Sequence, residues 1–395
     1  NKFIKVSWDT AYKKIVEKIN NTNSDKIAGF IGDLSNMETS YITKEFFNKT
    51  IKSKHLESRD DYYIIDTSSR ENYIFNSGLN GIDNSDLIVL VGTNPRFEAT
   101  ILNSRIRNTF LKNKCKIYSF GDVGDLTYDY DIIDSNTYKF KEILSGNNPI
   151  SKEIENSNRP MFILGQSFFK LKSSTYLINE LKKYLLSLNK INENWSPINI
   201  LSKHASTVGS YDLDIISENF NNNDVLDRTL NNRFEVIFLI GQDNLKLKKK
   251  NEFIIYIGSH GDRGAEISDV ILPGSSYTEQ DGHYTNLEGV LQKAYKATYP
   301  PGEAKEDWEI INNLSELLKR KKIYNNKDEL VSKMIHFINN NKNKKTETNS
   351  GNFCDEKIFT EYTDYYYSNV ISRSSKTMSE CRNIRNNIKK TGTEG

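Results

Sequence analysis

Continuous runs of apolar residues, each followed by glycine and small polar residues, recur along the chain. They occur at residues 26–32, 86–96, 159–168, 235–244 and 253–262. Such runs, with helical stretches between them, are typical of parallel strands that are covered on both faces. The pattern therefore predicts an α/β fold with doubly wound, mostly parallel sheets.

Helical periodicity is clear near the start of the chain. Residues 7–19 place their apolar side chains on one stripe, and Ser7 or Asp9 is available to cap this helix. A second helical stretch is predicted to follow the strand at 26–32 and to continue through Phe47. Both stretches fit the helix that an α/β unit places beside its strand.

Low apolar content marks the predicted boundaries along the chain. Residues 144–160 are interpreted as a linker between a first α/β unit at 1–150 and a second unit at 151–320. Residues 321–395 are expected to contain a helical segment, a polar linker and a C-terminal arm. The linker is predicted at about 341–350, where hydrophobicity is too low to build a packed core.

One strand-end loop, at residues 258–300, is a candidate site. Within it, an apolar run ends at Pro273 and Gly274, and about fifteen residues of polar chain follow, which we expect to be irregular. Loops at strand ends are where α/β proteins usually build ligand sites.

The same loop contains three glycines and two histidines of interest. Gly258, Gly261 and Gly264 resemble a dinucleotide-binding fingerprint only weakly, because their spacing is wrong. His260 and His283 have the chemistry of acid–base groups. The sequence places no carboxylate partner beside either histidine, and hydrogen bonding within the loop is the alternative interpretation.

The turn after the apolar run at 86–91 is the most informative segment. Thr93 and Asn94 lie in a tight polar turn, and Arg96 follows it. In a cofactor enzyme this turn would present backbone N–H groups and an arginine to a phosphate. The alternative is a helix start, with Arg96 paired to a carboxylate. On the following helix, three residues are predicted to face the core: Ile101, Leu102 and Ile106.

A second group of charged residues marks another helix start. Glu306, Asp307 and Glu309 could be imagined as a carboxylate cluster. Acidic residues are expected in the first turn of a helix because of its dipole, so we interpret them as structural. The first turn of this helix is predicted near Pro301 or Glu303.

Composition limits the possible functions. The 395 residues carry 54 basic and 52 acidic side chains, so no overall charge favours nucleic acid. The three cysteines, Cys115, Cys354 and Cys381, are far apart and show no metal-ligand or disulfide spacing. No apolar run approaches the roughly 18–20 residues needed to span a bilayer.

Several segments together resemble one known family. The chain is similar to the C-terminal, molybdopterin-oxidoreductase-like portion of the large iron–sulfur subunit in the peripheral arm of respiratory complex I. The resemblance depends on five segments, in the family's order: residues 70–107, "HASTVGSYDLD" at 204–214, 260–292, "PPGEAKEDWEII" at 300–311 and "ISRSSKTMSEC" at 371–381.

This resemblance implies that the chain has the molybdopterin-oxidoreductase fold but not the activity of the catalytic relatives. In catalytic relatives, the loops after the strands hold a pterin cofactor and its metal, whereas the complex I branch keeps the fold without molybdenum. We therefore expect no catalytic residue, no metal site and no cofactor in this chain. Thr93, Asn94 and Arg96 are the candidates for remnants of the cofactor cleft.

The resemblance also implies a partner. Family members begin with a cysteine-rich region that holds iron–sulfur clusters, and three scattered cysteines cannot build even one four-cysteine cluster. Because the chain starts at Asn1 without that region, we expect it to be a separate polypeptide or to have been removed.

The predicted function is structural support within NADH:ubiquinone oxidoreductase, in the matrix-side peripheral arm at the mitochondrial inner membrane. The expected partners are other peripheral-arm subunits, above all the iron–sulfur half, with no nucleic acid and with membrane contact only through the complex. Residues 362–367, rich in tyrosine, and the basic tail are predicted partner contacts, because aromatic anchors dominate interfaces.

Two alternatives remain open at this point. The first is an active molybdopterin-dependent oxidoreductase, similar to a formate dehydrogenase large subunit, which requires a metal ligand in a strand-end loop. The second is a nucleotide-binding α/β module in which residues 91–96 form the phosphate turn. The absence of a proper glycine-rich fingerprint counts against the second.

Overall fold

A computed structural model describes residues 3–217, 224–341, 350–361 and 364–387. The predicted polar linker at 341–350 lies outside the described residues except for its two ends, and so does the basic tail beyond residue 387. Tyr362, in the tyrosine-rich segment, is also outside them.

The described part of the chain contains twelve strands: β1 (Ile27–Ile31), β2 (Leu56–Glu57), β3 (Leu87–Val91), β4 (Lys116–Phe120), β5 (Asp131–Asp134), β6 (Pro160–Gly165), β7 (Ile198–Leu201), β8 (Val236–Ile240), β9 (Phe253–Gly258), β10 (Val270–Pro273), β11 (Gly282–Thr285) and β12 (Leu291–Ala294).

The same residues form fourteen α-helices: α1 (Trp8–Asn20), α2 (Met37–Glu45), α3 (Pro95–Glu98), α4 (Thr100–Asn113), α5 (Thr137–Leu144), α6 (Pro149–Asn156), α7 (Ser174–Ser187), α8 (Thr207–Asp212), α9 (Val225–Leu230), α10 (Arg263–Glu266), α11 (Asp307–Lys319), α12 (Lys327–Asn341), α13 (Val370–Ser374) and α14 (Lys376–Asn387). A π-helix, Phe46–Ile51, extends α2. Among the described ranges, no helix is both long and apolar enough to span a bilayer.

Two five-stranded parallel sheets organise these elements. Sheet 1 has the strand order β10–β9–β8–β1–β2, and sheet 2 has the order β5–β4–β3–β6–β7. Alternate residues of β3 pack into separate cores: Leu87 and Val89 into one, Ile88 and Leu90 into the other. Both faces of the sheet are therefore buried, which confirms the predicted doubly wound α/β fold.

The strand pairing does not follow the predicted boundary at residue 150. Strands β6 and β7 pair into the same sheet as β3, while β1 pairs with β8 in the other sheet. The predicted linker at 144–160 contains α6, whose Ile154 is fully buried. An apolar run indicates that a strand is buried, but it does not indicate which strand lies beside it.

The local predictions had mixed outcomes. Ser7 caps α1, because its Oγ accepts a hydrogen bond from the backbone N–H of Thr10. The prediction for Ile101 was wrong: its side chain is 86% exposed, whereas Leu102 and Ile106 face the core as expected. The chain between Pro301 and Glu306 precedes α11 instead of forming its first turn.

The polar chain after β10 is more regular than predicted. Strands β11 and β12 pair in an antiparallel hairpin, in which Gly282 lies opposite Ala294. The hairpin packs against α2 and α8. The hairpin is polar in composition and therefore gives no hydrophobic pattern that would predict it. Polar contacts to distant elements are what mainly hold this short hairpin.

Candidate functional site

The carboxyl ends of the strands in both sheets border one cleft, which we call the strand-end cleft. Its volume is about 530 Å³, within the usual range for a small-molecule site. Its lining contains residues that follow six strands of the two sheets: Tyr62, Glu98, Gln166, Lys203, Asn244 and Arg263. This position is where open α/β sheets bind ligands, so the cleft is the candidate site.

The predicted turn after β3 is closed by its own neighbours. The Oγ1 of Thr93 donates to Glu98 Oε2 at 2.8 Å, and the backbone N–H of Asn94 donates to Glu98 Oε1 at 3.1 Å. The side-chain amide of Asn94 donates to the carbonyl of Val123, while its Oδ1 accepts from the backbone of Phe97. Donors that could have held a phosphate are thus already bound within the chain.

Arg96 is also engaged inside the chain. Its guanidinium forms an ion pair with the carboxylate of Asp125 and donates to the carbonyl of the same residue at 3.0 Å. The alternative of a helix start with a paired arginine is therefore what the structure contains. Thr93, Asn94 and Arg96 do not line the strand-end cleft, and their origin as remnants of a cofactor site stays a prediction.

Glu98 is the residue of this segment that does line the cleft. Burial raises the pKa of its carboxyl group to about 7, although the hydrogen bonds from Asn94 and Thr93 oppose the shift. The sequence gives no signal for this, because Glu98 resembles any acidic residue in the first turn of a helix.

A polar cluster lies on the sheet 1 side of the cleft. The Nε2 of His204 is 3.2 Å from Asp60 Oδ2, and the amide of Asn244 donates to Asp33 Oδ2. Burial alone would raise the pKa of Asp60, but the hydrogen bond and charge of His204, with the charge of Lys203, lower it to about 2. This cluster joins loops after β1, β2, β7 and β8, which sequence reasoning did not bring together.

The C-terminal segment, described at residues 350–361 and 364–387, lies across the cleft, and we call it the arm. Lys170 forms ion pairs with both Asp61 and Glu361. Arg373, in the arm, donates from Nε to Asp262 Oδ2 at 2.6 Å, and both side chains are largely buried. The arm is therefore fastened to loops of both sheets, Lys170 lying after β6 and Asp262 after β9.

The tyrosine-rich segment makes contacts within the arm. The hydroxyl of Tyr367 donates to Ser379, and the guanidinium of Arg382 lies 4.5 Å from the centre of its ring. Arg385 lies 5.1 Å from the ring of Phe97, in the turn after β3. Partner contact by this segment stays a prediction, and Tyr365, at 47% exposed, is a described member with free surface.

The strand-end loop at 258–300 is braced by residues far away in the sequence. His283 does have a carboxylate partner: its Nδ1 is 2.5 Å from Glu38 Oε1, and its backbone N–H donates to Glu38 Oε2. His260 bonds its neighbour Ser259, as the alternative interpretation expected. The two histidines do not meet in one site, since the cleft lining contains neither.

Gly274 and Asp307 are packed directly against each other. A Cβ on Gly274 would lie 2.2 Å from Asp307 Oδ1, so the glycine makes room for a carboxylate from the first turn of α11. Asp307 is fully enclosed, and burial raises its pKa to about 7. Within the group at 306–309, Asp307 therefore has a packing role.

The cleft offers an anionic metal–pterin group no excess of positive charge. Acidic and basic side chains are balanced around it, and two of its bases, Lys170 and Arg373, already pair with carboxylates of the chain. Within the described ranges, no group of three histidine, cysteine or carboxylate side chains could hold a metal ion. The three cysteines lie elsewhere: Cys115 is buried before β4, while Cys354 and Cys381 belong to the arm.

Comparison with known sequences identifies relatives of the whole chain. The NADH-ubiquinone oxidoreductase 75 kDa subunit of Reclinomonas americana is 36% identical over 96% of this chain and 58% of its own length. The mitochondrial 78 kDa subunit of the same oxidoreductase from Candida albicans is 33% identical over 96% of this chain and 55% of its own length. The chain thus spans somewhat more than half the length of these curated relatives.

Comparison with solved structures supports the fold. A chain of the formyltransferase/hydrolase complex from Methylorubrum extorquens superposes with a TM-score of 0.56 at 10% identity, covering 85% of this chain and 99% of its own. Residues 335–381 match a family defined by the C-terminal region of an NADH-ubiquinone oxidoreductase subunit. Residues 1–317 match molybdopterin oxidoreductase, and the chain therefore belongs to the molybdopterin oxidoreductase family.

Proposed function

We propose that this chain is a structural, non-catalytic part of NADH:ubiquinone oxidoreductase, in the matrix-side peripheral arm of the complex at the mitochondrial inner membrane. The similarity over 96% of the chain to subunits of that oxidoreductase supports the assembly. The observation that carries the non-catalytic role is the arm, which fastens itself across the cleft through Lys170 and Arg373.

The proposal extends to cofactors and partners. In this proposal the chain holds no molybdopterin. Support comes from the balance of acidic and basic side chains around the cleft, where Lys170 and Arg373 already pair with carboxylates of the chain. Iron–sulfur clusters belong to the portion of the relatives that this chain does not match. Its partners are that portion and the neighbouring subunits of the peripheral arm.

Elemental and pterin analysis of the native assembly tests this function. Molybdenum, tungsten and oxidised-pterin fluorescence are measured per mole of this chain, with iron as the internal control. We expect metal and pterin near zero in an assembly that contains iron and oxidises NADH. About one metal and one pterin per chain, or absence of the chain from the assembly, would overturn the proposal.

A pair of variants separates support from catalysis. Lys170→Ala with Arg373→Ala removes both anchors of the arm, and we expect less assembled complex but an unchanged NADH oxidation rate per assembled complex. The control is Lys183→Ala, which removes an exposed ion pair with Glu180 and leaves both quantities unchanged. A lower rate per assembled complex in the double variant would indicate a catalytic role.

A further inference from the structure

The two signs of charge around the strand-end cleft are equal in number but not equally engaged. Five carboxylates and five basic side chains line the cleft. Every one of these carboxylates has a hydrogen-bond or ion-pair partner within the chain: Asp60, Asp61, Glu98, Glu361 and Asp364. Within the described ranges, three of the five basic side chains donate no hydrogen bond and form no ion pair: Lys203, Lys246 and Arg263.

The carboxylates are satisfied by groups other than these three bases. The Nε of Arg382, outside the lining, donates to Asp364 Oδ2 at 2.5 Å, and His204 Nε2 lies 3.2 Å from Asp60 Oδ2. Glu98 accepts two hydrogen bonds from its own turn, and burial raises the pKa of its carboxyl group to about 7. Positive charge in the cleft is therefore less compensated than negative charge.

The three unpaired bases come from the ends of three strands. Lys203 follows β7 of sheet 2, whereas Lys246 and Arg263 follow β8 and β9 of sheet 1. All three residues are exposed, and all three line the cleft, so a ligand in the cleft can reach them. The carboxyl edge of an open α/β sheet is also the edge at which ligands bind.

Two ammonium groups and one guanidinium favour a ligand with several anionic oxygens. The guanidinium of Arg263 offers paired N–H donors that match phosphate or carboxylate, and an ammonium group binds the same anions as a point charge. The side-chain amide of Gln166, after β6, lines the same cleft and makes no hydrogen bond within the part of the chain that the structure describes. A volume of about 530 Å³ is sufficient for a small organic ligand.

We propose that the strand-end cleft binds a small multivalent oxyanion, a phosphorylated or polycarboxylate compound, through Lys203, Lys246 and Arg263. This site goes beyond the structural role proposed above, because a chain that catalyses no reaction can still bind a ligand. It requires neither a metal nor a pterin. The bound anion contacts loops of both sheets, so its binding stabilises the folded chain.

Lysine acylation of the native assembly tests this site. An N-hydroxysuccinimide ester acetylates accessible amines, and mass spectrometry measures the rate at each lysine of this chain. The probes are inorganic pyrophosphate and citrate, each compared with sodium chloride at the same ionic strength. The control is Lys248, which is exposed two positions after Lys246 but does not line the cleft. Because the rates belong to lysines of this chain, the result does not depend on the proposed structural role.

We expect at least one saturating probe to slow acylation of both Lys203 and Lys246 at least about fivefold, with Lys248 unchanged. Protection by pyrophosphate alone identifies a phosphorylated ligand, and protection by citrate alone identifies a polycarboxylate. Protection by both supports an oxyanion site without that preference. No protection, protection of only one of the two lysines, or equal protection of Lys248 would overturn the proposal.

A pair of variants gives a second measurement. In Arg263→Gln the guanidinium is lost, and we expect the probe concentration that half-protects Lys203 to rise at least about tenfold. Lys248→Gln should leave that concentration unchanged. Both substituted residues are exposed, so neither variant should change the Tm without the probe. An unchanged half-protecting concentration in Arg263→Gln would also contradict the proposal.

Discussion

The two strand-end loops differ in what closes them. The turn after β3 is closed by Glu98, which lies four and five residues from the donors of Asn94 and Thr93. The chain after β10 is closed by Glu38, which lies 245 residues from His283, and by Asp307, which fills the space beside Gly274. Both loops follow parallel strands, yet the hydrogen-bond partners of Asn94 and Arg96 lie at most 29 residues away, whereas that of His283 lies 245 residues away.

This difference predicts where each loop is vulnerable. A locally closed turn keeps its contacts as long as its own few residues are intact. A loop braced from α2 and α11 depends on buried carboxylates, and removal of one such group costs far more than an exposed contact. Four substitutions test this comparison, given from the largest expected effect to the smallest.

Glu38→Ala should have the largest effect. Glu38 is 1% exposed and accepts hydrogen bonds from both the backbone and the ring of His283. Its loss leaves these donors buried without a partner, and we expect the free energy of unfolding to fall by about 4 kcal/mol in denaturant titration. Glu38→Gln keeps one acceptor and should cost less than half as much, so equal losses would contradict the bracing role.

Gly274→Ala should follow. The added Cβ would meet Asp307 Oδ1 at 2.2 Å, and the buried carboxylate has little room to move. We expect the free energy of unfolding to fall by about 2 to 3 kcal/mol. Gly261→Ala is the matched control in the same loop, since nothing lies within 4 Å of its Cβ. Similar Tm values for both variants would show that Gly274 and Asp307 are not tightly packed.

Glu98→Gln should change the pH dependence of stability. The native pKa of Glu98 is raised by burial to about 7, so between roughly pH 4.5 and pH 7 the native state binds more protons than the unfolded state. The wild type therefore loses stability as pH rises through this window, and the variant does not. Measured from pH 5 to pH 8, the free energy of unfolding of the variant should gain about 2 kcal/mol relative to wild type. A constant difference would contradict the buried environment of Glu98.

Arg96→Ala should have the smallest effect. Its ion pair with Asp125 joins side chains that are 37% and 52% exposed. Exposed pairs contribute little, so we expect a loss below about 1 kcal/mol in the free energy of unfolding. A loss comparable to that of Glu38→Ala would mean that the turn after β3 depends on long-range contacts as well.

The comparison also explains what the sequence could predict. The apolar runs predicted both parallel sheets, because five consecutive buried residues in β3 or β8 are visible as a pattern. Ser7 as a helix cap was equally visible, since capping is local. Each of these features is determined by residues within one turn or one strand.

The remaining features depend on contacts between residues far apart in the sequence, which a local hydrophobic pattern does not indicate. Glu38 and His283, or Asp60 and His204, become neighbours only when several loops converge. The hairpin of β11 and β12 was missed for the same reason, because its support comes from α2 and α8. The route of the arm across the cleft required the positions of both sheets, and the sequence alone indicated only its composition.

The interleaved strand order has a consequence for how the chain is made. All strands of sheet 2 lie between residues 87 and 201, so this sheet can form as soon as that stretch has left the ribosome. Strand β1 can pair early only with the two-residue β2, and its five-residue pairing with β8 must wait until residue 240 is synthesised. Strand β1 is thus translated before the other strands of sheet 1 and is among the last of them to be covered. We therefore expect it to need protection by a chaperone during synthesis.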